Sequence, residues 1–166
     1  LGAQVTGIDM GEKALGVAKL HRLESALDID YQLTTAEEYA ELHPAEFDVV
    51  TCLEMLEHVP DPGSVIQACQ KMIKADGDVF FSTINRNPKA FLFAVVGAEY
   101  VLNLLPKGTH SYAKFIKPSG LNRWAMQAGL EVKDLTGMHY DPIARVYSLA
   151  DGVDVNYLAH YRPVQS

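Results

Sequence analysis

Glu54, Glu57 and His58 are the residues whose types and spacing most plainly suit chemistry. If their segment turns helically, positions i, i+3 and i+4 share one face, and two carboxylates and an imidazole converge on one point. That point would be a metal, a substrate hydroxyl or part of a cofactor. Two carboxylates suit Mg2+, a hard ion that prefers oxygen. An imidazole suits zinc or iron better. Without a metal, a histidine titrating at about 6.5 serves as a general base. The structural alternative is a pair of solvated or capping carboxylates beside a packed loop histidine.

The elements around this triplet decide what it can meet. The run 47–53 (FDVVTCL) reads as a buried strand that delivers Glu54 from its end, and Pro60 stops the segment. In an open α/β sheet, ligands bind in the crevice outside the carboxyl ends of the strands. Upstream, 3–8 reads as a strand ending in Asp9, 14–27 as a helix, 29–33 as a strand and 36–42 as a short acidic helix. Downstream, Asp61-Pro62 is an N-cap followed by proline at the first helical position. Val65, Ile66, Ala68, Cys69, Met72 and Ile73 form that helix's apolar side, Asp76-Gly77 closes it, and 78–84 is a strand. Strands alternating with helices of about 10–15 residues predict βαβ units and a mostly parallel sheet. Beyond Pro88 the pattern changes to an apolar helix over 88–105, a loop over 106–111 and a helix from Pro118 to Gly129. Strands over 130–136, 145–149 and 155–160 follow, and they suit an antiparallel finish.

Asp9 is the second candidate. An acid at a strand end in a nucleotide-binding α/β fold accepts hydrogen bonds from ribose hydroxyls, normally about 20 residues after a glycine-rich loop. Here the chain begins too late to show such a loop, and an N-cap for the next helix is the competing role.

With 166 residues the chain is one ordinary domain, or a piece of one. Its net charge of −7 argues against a nucleic-acid-tracking surface, which needs clustered Lys and Arg. Cys52 and Cys69 lack metal or disulfide-framework spacing, which predicts a reducing, cytoplasmic setting. The chain opens on Leu1 already in mid-pattern, as expected of a fragment lacking its start.

Five blocks carry a family resemblance: GIDMGEKALGVAKLH (7–21), FDVVTCLEMLEHVPDP (47–62), GDVFFSTINRN (77–87), VVGAEYVLNLLPKGTH (95–110) and GVDVNYLAH (152–160). Together they resemble the bacterial ubiquinone biosynthesis O-methyltransferases over essentially the whole chain. The resemblance implies a Rossmann-like class I methyltransferase, a seven-stranded, mostly parallel sheet with antiparallel C-terminal strands. It implies S-adenosyl-L-methionine as cofactor and methylation of phenolic hydroxyls on polyprenylated ubiquinone precursors. It assigns Asp9 to the ribose, Met10 to the adenosine beside it, and Leu53, where the family often has Met, to a cofactor contact. Residues matching Glu54, Glu57 and His58 are assigned in relatives to a divalent metal, Mg2+ being the candidate. The family's first strand and glycine-rich loop would lie upstream of Leu1, between the strands that come first and third here. Their loss is expected to leave a gap in the sheet and weak cofactor binding.

A phenol titrates at about 10 and is mostly protonated at neutral pH, so methyl transfer needs help in removing the proton. His58 can take it, or a metal can stabilise the phenolate. Of the other histidines, His21 and His43 read as surface residues and His160 as a strand residue, while His110 and His139 lie where the fold places substrate-recognition elements. The stretch 90–106 is shorter than the roughly 20 apolar residues a bilayer span needs. Phe91, Val95, Ala98, Leu102 and Leu105 share one helical face flanked by Arg86, Lys89 and Lys107. Periodicity alone favours a core or lid helix. The resemblance, through a lipid-tailed substrate, favours peripheral attachment of 87–110 to the inner membrane, near other ubiquinone-biosynthesis enzymes. The rival functions are a methyltransferase for another small molecule, a nicotinamide-dependent oxidoreductase lacking its Tyr-x-x-x-Lys constellation, and a non-catalytic lipid-binding fragment.

Overall fold

Alternating apolar strands and amphipathic helices fold as a layered α/β structure, described in a computed structural model for residues 2–86, 114–141 and 146–165. The order is β1 (Val5–Asp9), α1 (Glu12–Ser25), β2 (Ile29–Leu33), α2 (Ala36–Leu42), β3 (Phe47–Leu53), α3 (Pro62–Met72) and β4 (Ile73–Ile84), then α4 (Pro118–Gln127), β5 (Leu130–Asp141), β6 (Val146–Ala150) and β7 (Asn156–Pro163).

The expectation of a mostly parallel sheet is corrected to a mixed one, while the C-terminal strands are antiparallel as expected. The described strands form a two-stranded sheet, β1-β2, and a mixed five-stranded sheet in the order β3-β4-β7-β5-β6. β1/β2 and β3/β4 are parallel, whereas β4/β7, β5/β7 and β5/β6 are antiparallel. The physical reason is connection length. β5 and β6 are joined by too few residues for a parallel crossover, so they run antiparallel. β1 and β3 are not hydrogen-bonded neighbours, but they share packing. Ile8 of β1 and Phe47 and Val50 of β3 rest on one cluster of Tyr39, Ala40, Ala68 and Met72.

The main core lies between the five-stranded sheet and the helices α3 and α4. Cys52, Val79, Phe81, Tyr157, Ala159 and Tyr161 from the strands pack with Val65, Ile66, Cys69, Leu121 and Ala125 from the helices. Side chains alternate across β3 as a pleated strand requires: Val50 and Cys52 face this core, while Val49, Thr51 and Leu53 are exposed. Both cysteines are free and buried. Hydrogen bonding to Cys52, then burial, push the Cys69 thiol well above its ordinary value.

Helix α3 begins as the sequence predicts, with Asp61 accepting from the Gly63 and Ser64 amides at 2.9 and 3.3 Å. It ends at Met72, before the expected Asp76-Gly77 stop. The Ala45 and Glu46 amides donate to the Lys71 and Met72 carbonyls at 2.9 Å each, and so capture acceptors of the last helical turn. Ile73 then pairs with Phe47, and the β3/β4 register shifts before resuming at Val49 and Asp78. Gly77 is required in that irregularity, because a Cβ there would meet the Asp48 carbonyl at 2.8 Å. Among the described residues, no helix is long and apolar enough to cross a membrane. The 87–110 stretch lies outside the described residues.

Candidate active site

The carboxyl ends of β1 and β3 carry the predicted residues. β1 releases the chain at Asp9, whose Oδ1 accepts the Gly11 amide at 2.6 Å while its backbone carbonyl accepts the Thr34 amide at 3.2 Å. Asp9 does not cap α1: the N-cap is Gly11, with no side-chain cap bond. Its carboxylate stays exposed beside Met10, which is 73% exposed. Leu53, 51% exposed, ends β3. Asp9, Met10 and Leu53 are thus all accessible to solvent at the carboxyl ends of their strands.

The triplet takes a different shape from the helical turn expected of it. Glu54 adopts a positive φ of 52°, a left-handed conformation that side chains rarely hold without support. Its amide donates to the Ser82 carbonyl and to Ser82 Oγ, both at 3.0 Å. The Ser82 hydroxyl in turn donates to Glu54 Oε1 at 2.8 Å, and Asn156 Nδ2 reaches Oε2 at 3.5 Å. Residues Met55 to His58 then form a tight turn closed by the His58 amide on the Met55 carbonyl at 2.9 Å. The turn sends Leu56 fully into the core, buries Glu57 to 3% exposure and leaves His58 exposed. Thr83 Oγ1 donates to Glu57 Oε2 at 2.8 Å.

Ser82 and Thr83 are consecutive on β4, so their side chains leave opposite faces of the strand. Glu54 is bonded to the first and Glu57 to the second. The two carboxylates are thereby held apart, with the imidazole outside. Among the described residues, no group of three His, Cys, Asp or Glu side chains gathers as a metal site. The arrangement does not fit Mg2+ held jointly by Glu54, Glu57 and His58, because helical convergence, on which that expectation rested, is replaced by a turn.

Glu57 lies near another buried polar group. The Tyr157 hydroxyl donates to the Ile116 carbonyl at 3.0 Å. Burial first, then Tyr161, Glu57 and Glu54, raise its phenol well above the ordinary value. Of the remaining histidines, His43, His139 and His160 make local polar contacts. His43, read as a surface residue, is half-buried, stacked on Tyr39 with ring centroids 4.0 Å apart and bonded to Glu46 at 2.7 Å. His139 Nε2 donates to the Gly152 carbonyl at 2.8 Å, and His160 on β7 meets Asp78 at 2.6 Å. His21 is exposed on α1, and His110 lies outside the described residues.

The sequence reading missed Ser82, Thr83 and Asn156. A signal was present: two hydroxyls interrupt the otherwise apolar end of VFFSTI, and both are buried. Buried hydroxyls need partners, and here those partners are the two acids.

Solved structures share this fold. A SAM-dependent methyltransferase from Methanosarcina mazei superposes with a TM-score of 0.69 at 16% identity, over 99% of this chain and 84% of its own. A SAM-dependent methyltransferase from Thermotoga maritima, described as a possible histamine N-methyltransferase, gives 0.67 at 17% identity, over 95% and 72%. The fold is that of the class I S-adenosylmethionine-dependent methyltransferases, and residues 1–135 match the family described as a methyltransferase domain. The ubiquinone biosynthesis O-methyltransferase of Azoarcus sp. strain BH72 is 65% identical over 161 residues, which are 97% of this chain and 69% of that protein. The chain belongs to the ubiquinone biosynthesis O-methyltransferase family.

Proposed function

We infer that this chain is the catalytic region of an S-adenosyl-L-methionine-dependent O-methyltransferase of ubiquinone biosynthesis, acting on the phenolic hydroxyl of a polyprenylated ring. Family membership at high identity along nearly the whole chain is the observation that carries this reading. The exposed groups at the ends of β1 and β3 agree with it. Bound S-adenosyl-L-methionine supplies an electrophilic methyl carbon. Asp9 would hold the ribose hydroxyls through charge-assisted hydrogen bonds, and Met10 and Leu53 would cover the apolar parts of the cofactor. Glu54 and His58, both in the turn that follows β3, would face the phenol. A ring nitrogen of exposed His58 would take the phenol proton as the oxygen bonds the methyl carbon, the sulfonium S–CH3 bond breaks and S-adenosyl-L-homocysteine leaves. Alignment of the oxygen with the methyl carbon does the rest.

A further strand carrying a glycine-rich loop completes the sheet between β1 and β3 in the working enzyme. This is supported by the absence of pairing between those two strands and by the exposure of Val5 and Val49 on them. Family membership, through a lipid-tailed substrate, together with the amphipathic 87–110 sequence supports peripheral attachment of that stretch to a membrane surface. Flotation with liposomes tests that attachment, and a Phe91, Val95 and Leu102 to Asp variant that floats equally well counts against it.

The deciding experiment follows a labelled methyl group from S-adenosyl-L-methionine to a polyprenylated catechol, in the protein carrying this chain. Methylated product is expected. A protein that binds the cofactor and methylates only unrelated small molecules would remove the substrate assignment.

A further inference from the structure

We propose that Ser82 and Asn156 are positioning residues for methyl transfer, holding the Glu54 carboxylate in a fixed pose toward the acceptor phenol. The proposal rests on the functional reading above and adds two residues that reading does not use.

Three observations carry it. Glu54 sits at φ 52°, directly after the last residue of β3. For a residue with a Cβ, such a conformation is unfavourable and persists only where surrounding contacts over-determine it. Ser82 supplies those contacts from three directions, since its carbonyl and hydroxyl oxygens both accept the Glu54 amide and its hydroxyl donates to Oε1. A strand-end residue strained in this way and fixed through both backbone and side chain has a preset carboxylate direction.

The second support comes from β7. Asn156 pairs with Ile84 on the ladder, so its side chain shares the face of Ser82, and its amide reaches the other Glu54 oxygen at 3.5 Å. Two elements far apart in sequence therefore converge on one carboxylate. Burial supplies the third. Ser82 is 1% exposed, and its hydroxyl would be unsatisfied there without Glu54. Glu57, by contrast, is bonded on the opposite face through Thr83 and is not part of this clamp.

Substitution should move turnover without moving cofactor affinity. Ser82→Ala is expected to lower kcat about tenfold or more while KM for S-adenosyl-L-methionine stays within about twofold, because misplacing a group beside the reacting atoms has that scale of effect. Ser82→Thr retains the hydroxyl and is expected to restore most of the activity. Asn156→Ala is expected to give a smaller loss, in keeping with its longer contact. A crystal structure of Ser82→Ala should show Glu54 relaxed out of the left-handed region. Unchanged kcat in folded Ser82→Ala overturns the proposal, and so does a Ser82→Thr enzyme as impaired as Ser82→Ala. If the unsubstituted protein transfers no methyl group, the functional reading fails separately. The clamp is then judged on the Glu54 backbone alone, where an unchanged φ in Ser82→Ala overturns it.

Discussion

The Thr83 hydroxyl donates to the Glu57 carboxylate at 2.8 Å in the interior of the protein. Removing the donor leaves a buried acid without this partner. Thr83→Val is expected to destabilise the fold by about 1–3 kcal/mol, with Thr83→Ser recovering most of the loss. Urea unfolding midpoints measure it. A Thr83→Val protein within about 0.5 kcal/mol of the parent would show that the bond contributes nothing net.

The Asp9 carboxylate accepts the Gly11 amide and is otherwise exposed, and the proposed function gives it the cofactor ribose as well. In Asp9→Asn the amide oxygen still accepts from Gly11, but the second position becomes a donor facing ribose hydroxyls. Cofactor affinity in the protein carrying this chain is expected to fall about 10- to 100-fold, the scale of a lost charge-assisted hydrogen bond. Calorimetric titration reads it directly, and equal affinity would remove Asp9 from the cofactor site.

His58 is the exposed base candidate of the turn. His58→Ala is expected to lower kcat by about 10²–10⁴, with cofactor binding intact. Normal turnover in that variant would leave the phenol proton to another group.

Asp78 joins His160 and Arg162, at 2.6 Å to each, and the Arg162 bond first and the His160 bond second hold its carboxyl below the ordinary 3.8. A carboxyl with a lowered folded value stabilises the fold above its unfolded value and loses that contribution as pH falls through the folded one. Unfolding free energies of the parent and Asp78→Asn are therefore expected to differ above pH 3.8 and to converge in more acidic solution. Parallel curves across that window would contradict the assignment.

The order of helices and strands was legible in the sequence because period and punctuation agreed, as at Asp61-Pro62 and along 47–53. The sheet's composition was not. Antiparallel pairing of β7 between β4 and β5 depends on which strand edges are open, and no local pattern encodes that. The helix after Pro62 ended early for a similar reason, since the amides that take its last carbonyls come from Ala45 and Glu46. At the candidate site, residue types pointed to the loop after β3 and misjudged its form. Glu, Glu and His at helical spacing say nothing of a left-handed residue at Glu54, whose amide and carboxylate are both bonded to Ser82, a residue 28 positions away.

β7 lies in the middle of the five-stranded sheet, yet it is the last of the described strands to be synthesised. On the ribosome, β3, β4 and α3 emerge long before Tyr157, Ala159 and Tyr161 arrive to fill the core between β4 and β5. Until then β4 offers an unpaired edge to any neighbouring chain. The nascent protein is thus most vulnerable to aggregation late in translation, and a premature stop before Asn156 removes the centre of the domain instead of trimming its rim.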